Sequence, residues 1–466
     1  MPEHILFLTG RLAEPQLKRV LTSLGDAEFT WSVHVLGLQV AGLMTADMIR
    51  RRLTDTQGAD RILVPGRCRG DLAALSSHFG IPVERGPDEL MDLPEFFGRQ
   101  RHAPDLTRHD VTLFAELVDA PRMSVDAILA QAAAYAADGA DVIDIGGLPQ
   151  THFPHLEEVV QALKAEGYRV SVDSLDPDEL LRGGRAGADY LLSLTLDTLH
   201  LADEVASIPV LIPAHHGDLD NLIAAMERLE AKNKPYLADP ILDPLPFGFA
   251  ASLARYHELR RRMPQAEILM GTGNVSELTD ADTPGIHALL LGIMAELNIH
   301  ALLTTQVSPH CRSAVREIDA ARRLMFAARE AQSLPRDISD ALLGLRHRKP
   351  FPYASHEIAA MASAVRDPNF RIQVSQTGIH IYNRDGLHIA TDPFDLWPHL
   401  QLEHDGSHAF YLGVELARAQ IAWQLGKRYN QDEELAWGCM LPRQAQDLNT
   451  HCAPGSTLRK TPTEPS

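Results

Sequence analysis

Residues 138–174 read DGADVIDIGGLPQTHFPHLEEVVQALKAEGYRVSVDS and contain two short apolar runs joined by a helical pattern. The first run, VIDI at 142–145, is rich in β-branched residues, which is typical of a strand buried on both faces in a parallel sheet. Each run carries an aspartate close to its end, Asp144 in the first and Asp173 in the second. The stretch therefore predicts one β-α-β unit with an acidic residue at the end of each strand.

The same alternation of strand and helix patterns continues from residue 112 to residue 330. Strand-like runs occur at 112–119, 140–146, 169–174, 189–195, 209–215, 235–240, 267–272 and 301–306. Helical patterns follow them at 124–137, 155–166, 177–186, 198–206, 218–232, 249–262, 284–297 and 312–330. Eight strands alternating with eight helices over roughly 220 residues are the count and length of a (β/α)₈ TIM barrel, and this is the predicted fold.

Two smaller domains are predicted to flank the barrel. Strand patterns at 4–10, 31–37, 60–66 and 81–86 alternate with helical patterns at 14–24, 45–53 and 70–79, which indicates a small parallel α/β domain. After a connecting helix at 337–347, a short antiparallel meander is predicted at 370–375, 378–383 and 387–391, followed by a long helix at 408–426. The predicted domains are 1–105 with a linker at 87–106, then 106–335, then 336–466 with a tail that frays from Cys452.

Composition excludes several classes of protein. The net charge of −19 argues against nonspecific binding to nucleic acid or anionic lipid, and no run is long enough for a membrane span. The four cysteines have no CxxC or Cys/His spacing, so neither a disulfide framework nor a structural zinc site is predicted. We expect a cytoplasmic protein with reduced thiols, and we assign no resident metal.

The carboxyl ends of barrel strands carry the chemistry of TIM barrels. At these ends the sequence places Asp119, Asp144, Asp173, Ser193, His215 with His216, Asp239 followed by Asp243, Asn274, and Gln306. A mouth rich in acceptors and poor in cations suits a ligand with several N–H donors, such as a pterin or a guanine-like ring. A divalent metal is the other ligand that acidic clusters attract. Single aspartates also serve as helix caps or as partners of a buried arginine, and the histidines favour hydrogen bonding over metal ligation.

Two turns in the N-terminal domain combine glycine with arginine. These turns, at Gly10-Arg11 and Gly66-Arg67, follow predicted strands, and free N–H groups with an arginine there could hold an anion. A tight turn that needs glycine beside solvated arginines is the alternative interpretation.

Three segments resemble those of a known group of barrels. GADVIDIGG (139–147), SVDS (171–174) and ILDPLPFGF (241–249), in that order and spacing, resemble the pterin-binding barrels, which comprise the dihydropteroate synthases and the methyltetrahydrofolate-dependent methyltransferases. With LTGRLAEPQLKRVL (8–21) in front and HAFYLGVELARAQIA (408–422) at the end, the chain is similar to the dihydropteroate-synthase-like proteins linked to tetrahydromethanopterin biosynthesis.

The resemblance implies roles for individual residues. Asp173 matches the aspartate that holds the pterin, and Asp243, with Asp239 as the alternative, matches the aspartate of the later motif. Asp144 and the two glycines after it match the segment that shapes the floor. Asn274 departs from the Ser-Arg-Lys of the synthases and is closer to the asparagine of the methyltransferases near the pterin N5. Leu192-Ser193 replaces an Asn-Asp pair, and Thr305-Gln306 replaces the final Arg-x-His. Ser193 and His215 complete the candidate pterin site.

The activity that the resemblance implies is the condensation of a dihydropterin methyl diphosphate with a ribofuranosylaminobenzene phosphate. Mg²⁺ would accompany the diphosphate. No catalytic base is assigned because the arylamine is itself a nucleophile. The candidate phosphate-binding cations are Arg182 and Arg312 in the barrel, and Arg11 and Arg67 if the N-terminal domain covers the mouth.

Two alternatives to this activity stay open. One is methyl transfer from a reduced pterin with a corrinoid-carrying partner, and the other is a non-catalytic pterin-binding subunit. A homodimer is expected, with Tyr411 and Glu415 on a candidate dimer helix.

Overall fold

The computed structural model describes residues 2–25, 29–99, 105–148 and 151–442, and the chain divides into two compact units. Met1–Arg108 and Ala327–Ile338 form the N-terminal unit, and His109–Phe326 and Ser339–Ser466 form the barrel unit. The tail from Cys452, for which fraying is predicted, lies outside the described residues.

The N-terminal unit contains a parallel sheet of four strands in the order β2-β1-β3-β4. The strands are β1 Glu3–Thr9, β2 Phe29–Val35, β3 Arg61–Val64 and β4 Val83–Arg85. The helices are α1 Glu14–Ser23, α2 Ala46–Arg52, α3 Leu72–Phe79 and the short α4 Leu93–Phe96. Because side chains alternate along a strand, Ile5 and Phe7 of β1 join the buried cluster of α1, whereas Leu6 and Leu8 join that of α2 and α3. The predicted small parallel α/β fold is confirmed.

The barrel unit contains all eight predicted parallel strands. They are β5 Thr112–Leu117, β6 Val142–Gly146, β7 Arg169–Asp173, β8 Tyr190–Leu194, β9 Ile208–Leu211, β10 Leu237–Ala238, β11 Leu269–Gly271 and β12 Ala301–Thr304. Their order is β10-β9-β8-β7-β6-β5-β12-β11, and a parallel bridge between Ala238 and Ile268 joins the two ends of this series. The (β/α)₈ prediction is therefore confirmed.

Helices surround the barrel, and one predicted helix is replaced. They are α5 Val125–Ala137, α6 Leu156–Ala165, α7 Pro177–Ala186, α8 Leu219–Glu230, α9 Phe249–Arg262, the short α10 Gly273–Ser276, α11 Thr283–Leu297 and α12 Ala314–Glu330. A 3₁₀ helix, Leu199–Asp203, replaces the helix predicted at 198–206. Its buried residues Leu199, Leu201 and Ala202 are two and three positions apart, which suits the tighter turn better than an α-helix.

The barrel interior changes from apolar to acidic along the strands. Phe114 and Val142 belong to an apolar cluster inside the ring. Two residues further along their strands come Glu116 and Asp144, which have the same orientation because side chains alternate. The apolar layer thus closes the bottom of the barrel, and a layer of carboxyl groups lies above it.

The C-terminal segment of the barrel unit is α+β. It contains β13 Arg371–Ser375, β14 Gly378–Asn383 and β15 Gly386–Ala390, an antiparallel meander, with α13 Ser355–Ala364, α14 Pro393–Leu400 and α15 Gly406–Leu425. The predicted meander and long helix are confirmed, whereas α13 and α14 were not predicted.

The helix predicted at 337–347 is wrong. This segment forms turns and bends, and its carbonyls bond to groups outside it. Ala341 O accepts the Cys439 N–H at 2.7 Å, and Gly344 O accepts from Lys427 Nζ at 2.5 Å. Those carbonyls are therefore not available for the i to i+4 bonds of a helix.

The cysteines of the described chain, Cys68, Cys311 and Cys439, are free and buried. Among the helices that the structure describes, none is both long enough and apolar enough to cross a membrane.

Candidate functional site

Three carboxyl groups converge at the ends of the first three barrel strands. Glu116 of β5 lies opposite Asp144 of β6, and Asp173 ends β7 opposite Gly146. One oxygen of each acid lies within 4.8 Å of the other two. Gly146 makes this approach possible, because a Cβ there would lie 2.6 Å from Glu116 Oε1. We call these three residues the carboxyl triad.

Asp144 is the most deeply buried member of the triad. It is 0% exposed, and its Oδ1 accepts a hydrogen bond from the Ser171 hydroxyl. Its Oδ2 is buried and has no hydrogen-bond partner within the described residues. Burial, followed by the charges of Asp173 and Glu116, raises the pKa of Asp144 well above its ordinary value, which favours the protonated form.

Asp173 lies at the electrostatic centre of the mouth. Burial raises the pKa of Asp173, and a hydrogen bond from Ser193 opposes this effect. Burial and then the charge of Asp173 raise the pKa of Glu116 to about 7. The charge of Asp173 also adds to the raised pKa of Asp144 and of Asp239. Asp173 therefore interacts with acids from three other strand ends.

Ser193 is placed on Asp173 by an irregularity in β8. The pairing of β8 with β9 shifts register between Leu191 and Leu194, and Ser193 has a left-handed backbone with φ 68°. The Ser193 Oγ donates to Asp173 Oδ1 at 2.6 Å. The strand is thus distorted at the position where its side chain bonds to the central acid.

Asp239 follows β10 and takes part in a second buried network. Its Oδ1 accepts the Tyr256 hydroxyl at 2.7 Å and the Ile241 N–H at 2.7 Å. Burial is the main cause that raises the pKa of Asp239 to about 6. Ile241 has φ 66°, a strained conformation for a β-branched residue. The backbone after β10 is therefore held in an unfavourable turn beside this acid.

Asp243 is ion-paired. Its Oδ2 accepts from Arg255 Nη2 at 2.9 Å, and its Oδ1 lies 3.3 Å from Nε2 of the exposed His216. Gly248, with φ +116°, lies against this carboxylate, since a Cβ there would be 2.9 Å from Oδ2. The neighbouring His215 is exposed. Asp243 thus stabilises its loop, and its role in ligand binding stays a prediction.

A cavity of about 470 Å³ opens at the ends of β5, β10, β11 and β12. Glu116, Asp239 and Asn274 line it with the apolar Ile241 and Leu242. Asn274 Nδ2 donates to Leu242 O at 2.9 Å, which fixes the orientation of the amide. Because Glu116 belongs to both, it connects the cavity with the carboxyl triad.

Glu277 forms the acidic rim of this cavity. It accepts the N–H groups of Val307 and Ser308, each at 2.8 Å, and the Thr305 hydroxyl at 3.0 Å. Burial alone would raise the pKa of Glu277, but these hydrogen bonds outweigh it and lower the pKa. The rim therefore adds a further negative charge.

Two of the four cations predicted to bind phosphate, Arg182 and Arg67, are engaged in ion pairs. Arg182 donates to both oxygens of Glu157, at 2.7 and 2.6 Å, and to Phe153 O at 2.9 Å. Arg67 donates to Glu89 at 2.8 Å within the N-terminal unit. Arg312 is exposed after the 3₁₀ helix Pro309–Cys311, and Arg11 is exposed after β1. Their roles in phosphate binding stay predictions.

The carboxyl triad also has the donor set that a hard divalent cation needs. Mg²⁺ prefers oxygen ligands, and Asp144 Oδ2 is a buried oxygen with no partner within the described residues. The residues present therefore fit Mg²⁺ as well as an N–H donor.

Glu116 was not among the predicted site residues, because Asp119 was taken as the acid at the end of the first barrel strand. The available signal was a single acid inside TLFAEL, at the fifth position of the predicted run 112–119, which is also the position of Asp144 in the run 140–146. The structure brings together Glu116, Asp144, Asp173, Ser193 and Asp239, and it places Asn274 at the cavity.

Comparison with known proteins gives a family match over part of the chain and a relative that aligns with most of it. Residues 3–88 match a family of unknown function, DUF6513. An uncharacterised protein of Methanocaldococcus jannaschii is 25% identical over an alignment of 525 residues that covers 92% of this chain and 98% of that protein.

Solved structures of dihydropteroate synthases are similar to part of the chain. The structure of the Thermus thermophilus enzyme is 22% identical in sequence, with a TM-score of 0.37. The match covers 48% of this chain and 95% of the Thermus thermophilus chain. The structure of the Yersinia pestis enzyme is 19% identical in sequence, with a TM-score of 0.39. The match covers 48% of this chain and 96% of the Yersinia pestis chain.

Proposed function

We propose that the barrel mouth binds a dihydropterin and transfers its pterinylmethyl group to an arylamine. The observation that carries the proposal is the position of Asp173, whose charge acts on Glu116, Asp144 and Asp239. Several acids that lie close together and repel one another raise the free energy of the empty site. A ligand that brings N–H donors to them lowers it.

The aminopyrimidine edge of a pterin matches this requirement. Its amino group and ring N–H lie side by side and can donate to both oxygens of one carboxylate. Asp173 is the acid that we assign to this edge, and the buried Asp144 shapes the floor beneath it. An analogue without these donors would leave the half-buried Asp173 without the hydrogen bonds of the ring, so the site would select against it.

In this proposal the cavity holds the part of the pterin ring beyond its aminopyrimidine edge. Its volume of about 470 Å³ lies in the range of small-molecule sites. Ile241 and Leu242 offer apolar contacts, and Asn274 offers an amide for the N5 side. Asp239 lines this cavity, whereas Asp243 is paired with Arg255, so we assign the second acid of the pterin site to Asp239.

The transfer proposed here forms one C–N bond and breaks one C–O bond. The lone pair of the arylamine attacks the methylene carbon, diphosphate leaves with the C–O electrons, and the new secondary amine loses a proton. The chain contributes by orienting the two substrates, since the amine needs no strong base. Mg²⁺ that accompanies the diphosphate substrate would neutralise charge on this leaving group. The resemblance makes a ribofuranosylaminobenzene phosphate the acceptor, in tetrahydromethanopterin-type biosynthesis.

One observation favours a second candidate, a pterin-binding subunit without transferase activity. A diphosphate needs cations, but Arg182 pairs with Glu157 and Arg255 with Asp243. Binding without turnover is therefore the alternative outcome of the experiment.

Calorimetry with 7,8-dihydropterin in the presence of EDTA tests the binding site. We expect one site per chain, weakened about 10- to 100-fold in Asp173→Asn, because a hydrogen bond to a charged group contributes about 1.5–3 kcal/mol. Glu166→Gln is the matched control, since Glu166 is exposed and follows α6 at the opposite end of the barrel. Equal affinity in Asp173→Asn and wild type would refute the assignment.

Diphosphate release then separates the two candidates. Release on adding the arylamine phosphate to the pterin diphosphate supports the transferase. Tight pterin binding with no release supports the subunit. Binding of Mg²⁺ alone, lost in Asp144→Asn, with no binding of pterin would show that the triad is a metal site and would overturn the proposal.

A further inference from the structure

The N-terminal unit has a topological switch point between β1 and β3. From β1 the chain passes through α1 to β2 on one side, whereas from β3 it passes through α3 to β4 on the other side. The helices α1 and α3 lie on opposite faces of the sheet, as their separate buried clusters indicate. In open parallel sheets, ligands bind at such a point, in the crevice beyond the carboxyl ends of the strands.

At two glycines near this point, the loops that follow neighbouring strands pack closely on each other. A Cβ on Gly10, after β1, would lie 2.6 Å from Ala41 N of the loop after β2. A Cβ on Gly66, after β3, would lie 2.6 Å from the carbonyl carbon of Pro87, after β4. The loops of β1 and β2 therefore pack on each other, as do those of β3 and β4, and the switch point lies between the two pairs.

A cavity of about 230 Å³ occupies that position. Thr9 and Gln16 line it from the β1 side, Arg67 from the β3 side, and Leu17, Leu63 and Leu93 form an apolar floor. The volume is below that of drug-sized sites, so it suits a single small ring.

An exchangeable ion pair lies at the rim. Arg67 Nη2 donates to Glu89 at 2.8 Å, and Arg336 Nη2 lies 3.0 Å from the same Glu89 oxygen. Arg67 is about half exposed, so its pair with Glu89 contributes little stability. An anion that takes Arg67 would leave Glu89 paired with Arg336, and no carboxylate would lose its partner.

We propose that this crevice is a second binding site, for a small aromatic ring that carries an anionic group. The ring lies on the leucine floor, and the anion binds Arg67 in place of Glu89. The proposal concerns the N-terminal unit alone and does not depend on the function of the barrel.

Titration of the full chain with phenyl phosphate tests this site by calorimetry. Phenol, which lacks the anion, and inorganic phosphate, which lacks the ring, are the comparison ligands. We expect phenyl phosphate to bind at least about tenfold more tightly than either, since each lacks one half of the interaction. Failure of all three to bind up to about 10 mM would overturn the proposal.

Two variants locate the bound ligand. Gly42→Leu fills the crevice without backbone strain, because Gly42 has no positive φ and its Cβ would meet Arg67 Cδ at 3.8 Å. Arg67→Gln removes the anion partner. We expect loss of binding in the first and a drop of about tenfold or more in the second. Ala73→Leu and Arg50→Gln, both at exposed positions of the same unit, are the matched controls.

Asp173→Asn distinguishes this site from the barrel. Phenyl phosphate binding should be unchanged in Asp173→Asn. Binding that is lost in Asp173→Asn but retained in Gly42→Leu would place the ligand in the barrel and overturn the proposal. Circular dichroism of each variant checks that the fold is intact.

Discussion

Ser193 bonds to Asp173 at 2.6 Å from a backbone conformation that non-glycine residues rarely adopt, with φ 68°. A left-handed residue costs roughly 1–2 kcal/mol, and here the cost coincides with a hydrogen bond to the central acid of the mouth. The strained residue, Ser193, is thus the one that orients the Asp173 carboxylate.

Two substitutions at Ser193 separate the hydroxyl from the strain. Ser193→Ala and Ser193→Gly both remove the donor to Asp173, but only glycine relieves the left-handed backbone. We expect the glycine variant to be more stable than the alanine variant by about 1 kcal/mol in urea unfolding, and both to bind dihydropterin more weakly than wild type. Equal stability of the two variants would contradict the strain argument.

The raised pKa of Glu116 should make the free energy of unfolding fall as pH rises. Its pKa is raised from 4.5 to about 7 in the folded chain, so the folded chain holds this proton more tightly than the unfolded chain. The contribution of Glu116 to the free energy of unfolding is therefore full below about pH 4.5 and is lost as pH rises through about 7.

Glu116→Gln removes this dependence. The free energy of unfolding of the variant, minus that of wild type, should rise by at least about 1 kcal/mol from pH 5 to pH 8. This corresponds to a rise of about 2 °C or more in the difference in Tm. Thermal unfolding at both pH values measures it, with Glu166→Gln as control. A difference in Tm that does not change with pH would refute the raised pKa.

Tyr256→Phe should destabilise the protein more at high pH than at low pH. The Tyr256 hydroxyl donates to Asp239 Oδ1 at 2.7 Å and opposes the rise of the Asp239 pKa, which is about 6. Without this donor the carboxylate loses a partner, and we expect a cost of about 1–3 kcal/mol at pH 8. At pH 5 the acid is protonated and the cost should be smaller. Urea unfolding at the two pH values measures it, and an equal cost at both would contradict this role.

Arg322 stabilises the barrel near the start of its first two strands. It is buried, and it donates to Val111 O at 2.6 Å, to Gly139 O at 2.8 Å and to Asp319 at 2.7 Å, and it also bonds to Asp141. Arg322→Met should cost about 3 kcal/mol or more in urea unfolding, because it leaves buried acceptors unpaired.

Arg261→Met is the matched control for Arg322→Met. Arg261 is exposed and pairs with Glu258 at 2.6 Å, so its loss should cost less than about 1 kcal/mol. A similar cost for the two variants would show that burial adds nothing to the contribution of Arg322.

The secondary structure that forms the barrel was accessible from the sequence because it depends on local patterns. The eight strands were predicted to within a few residues. Asp173 is the last residue of its strand as expected, whereas Asp144 lies two residues before the end of β6. The helix expected at 337–347 failed because Ala341 and Gly344 use their carbonyls in bonds to Cys439 and Lys427, which are about 80 to 100 positions away. A local pattern contains no information about such partners.

The sequence by itself determined the (β/α)₈ fold and the acidic strand ends, since apolar periodicity sets which residues are buried in each strand. Only the tertiary structure decided which acids act together. Register between β5, β6 and β7 placed Glu116 beside Asp144 and Asp173, and the turn after β10 left Asp239 at the cavity while Arg255 paired with Asp243. Shared burial and charge repulsion then set the pKa of each acid, because both depend on distances between strands and not on neighbours in the chain.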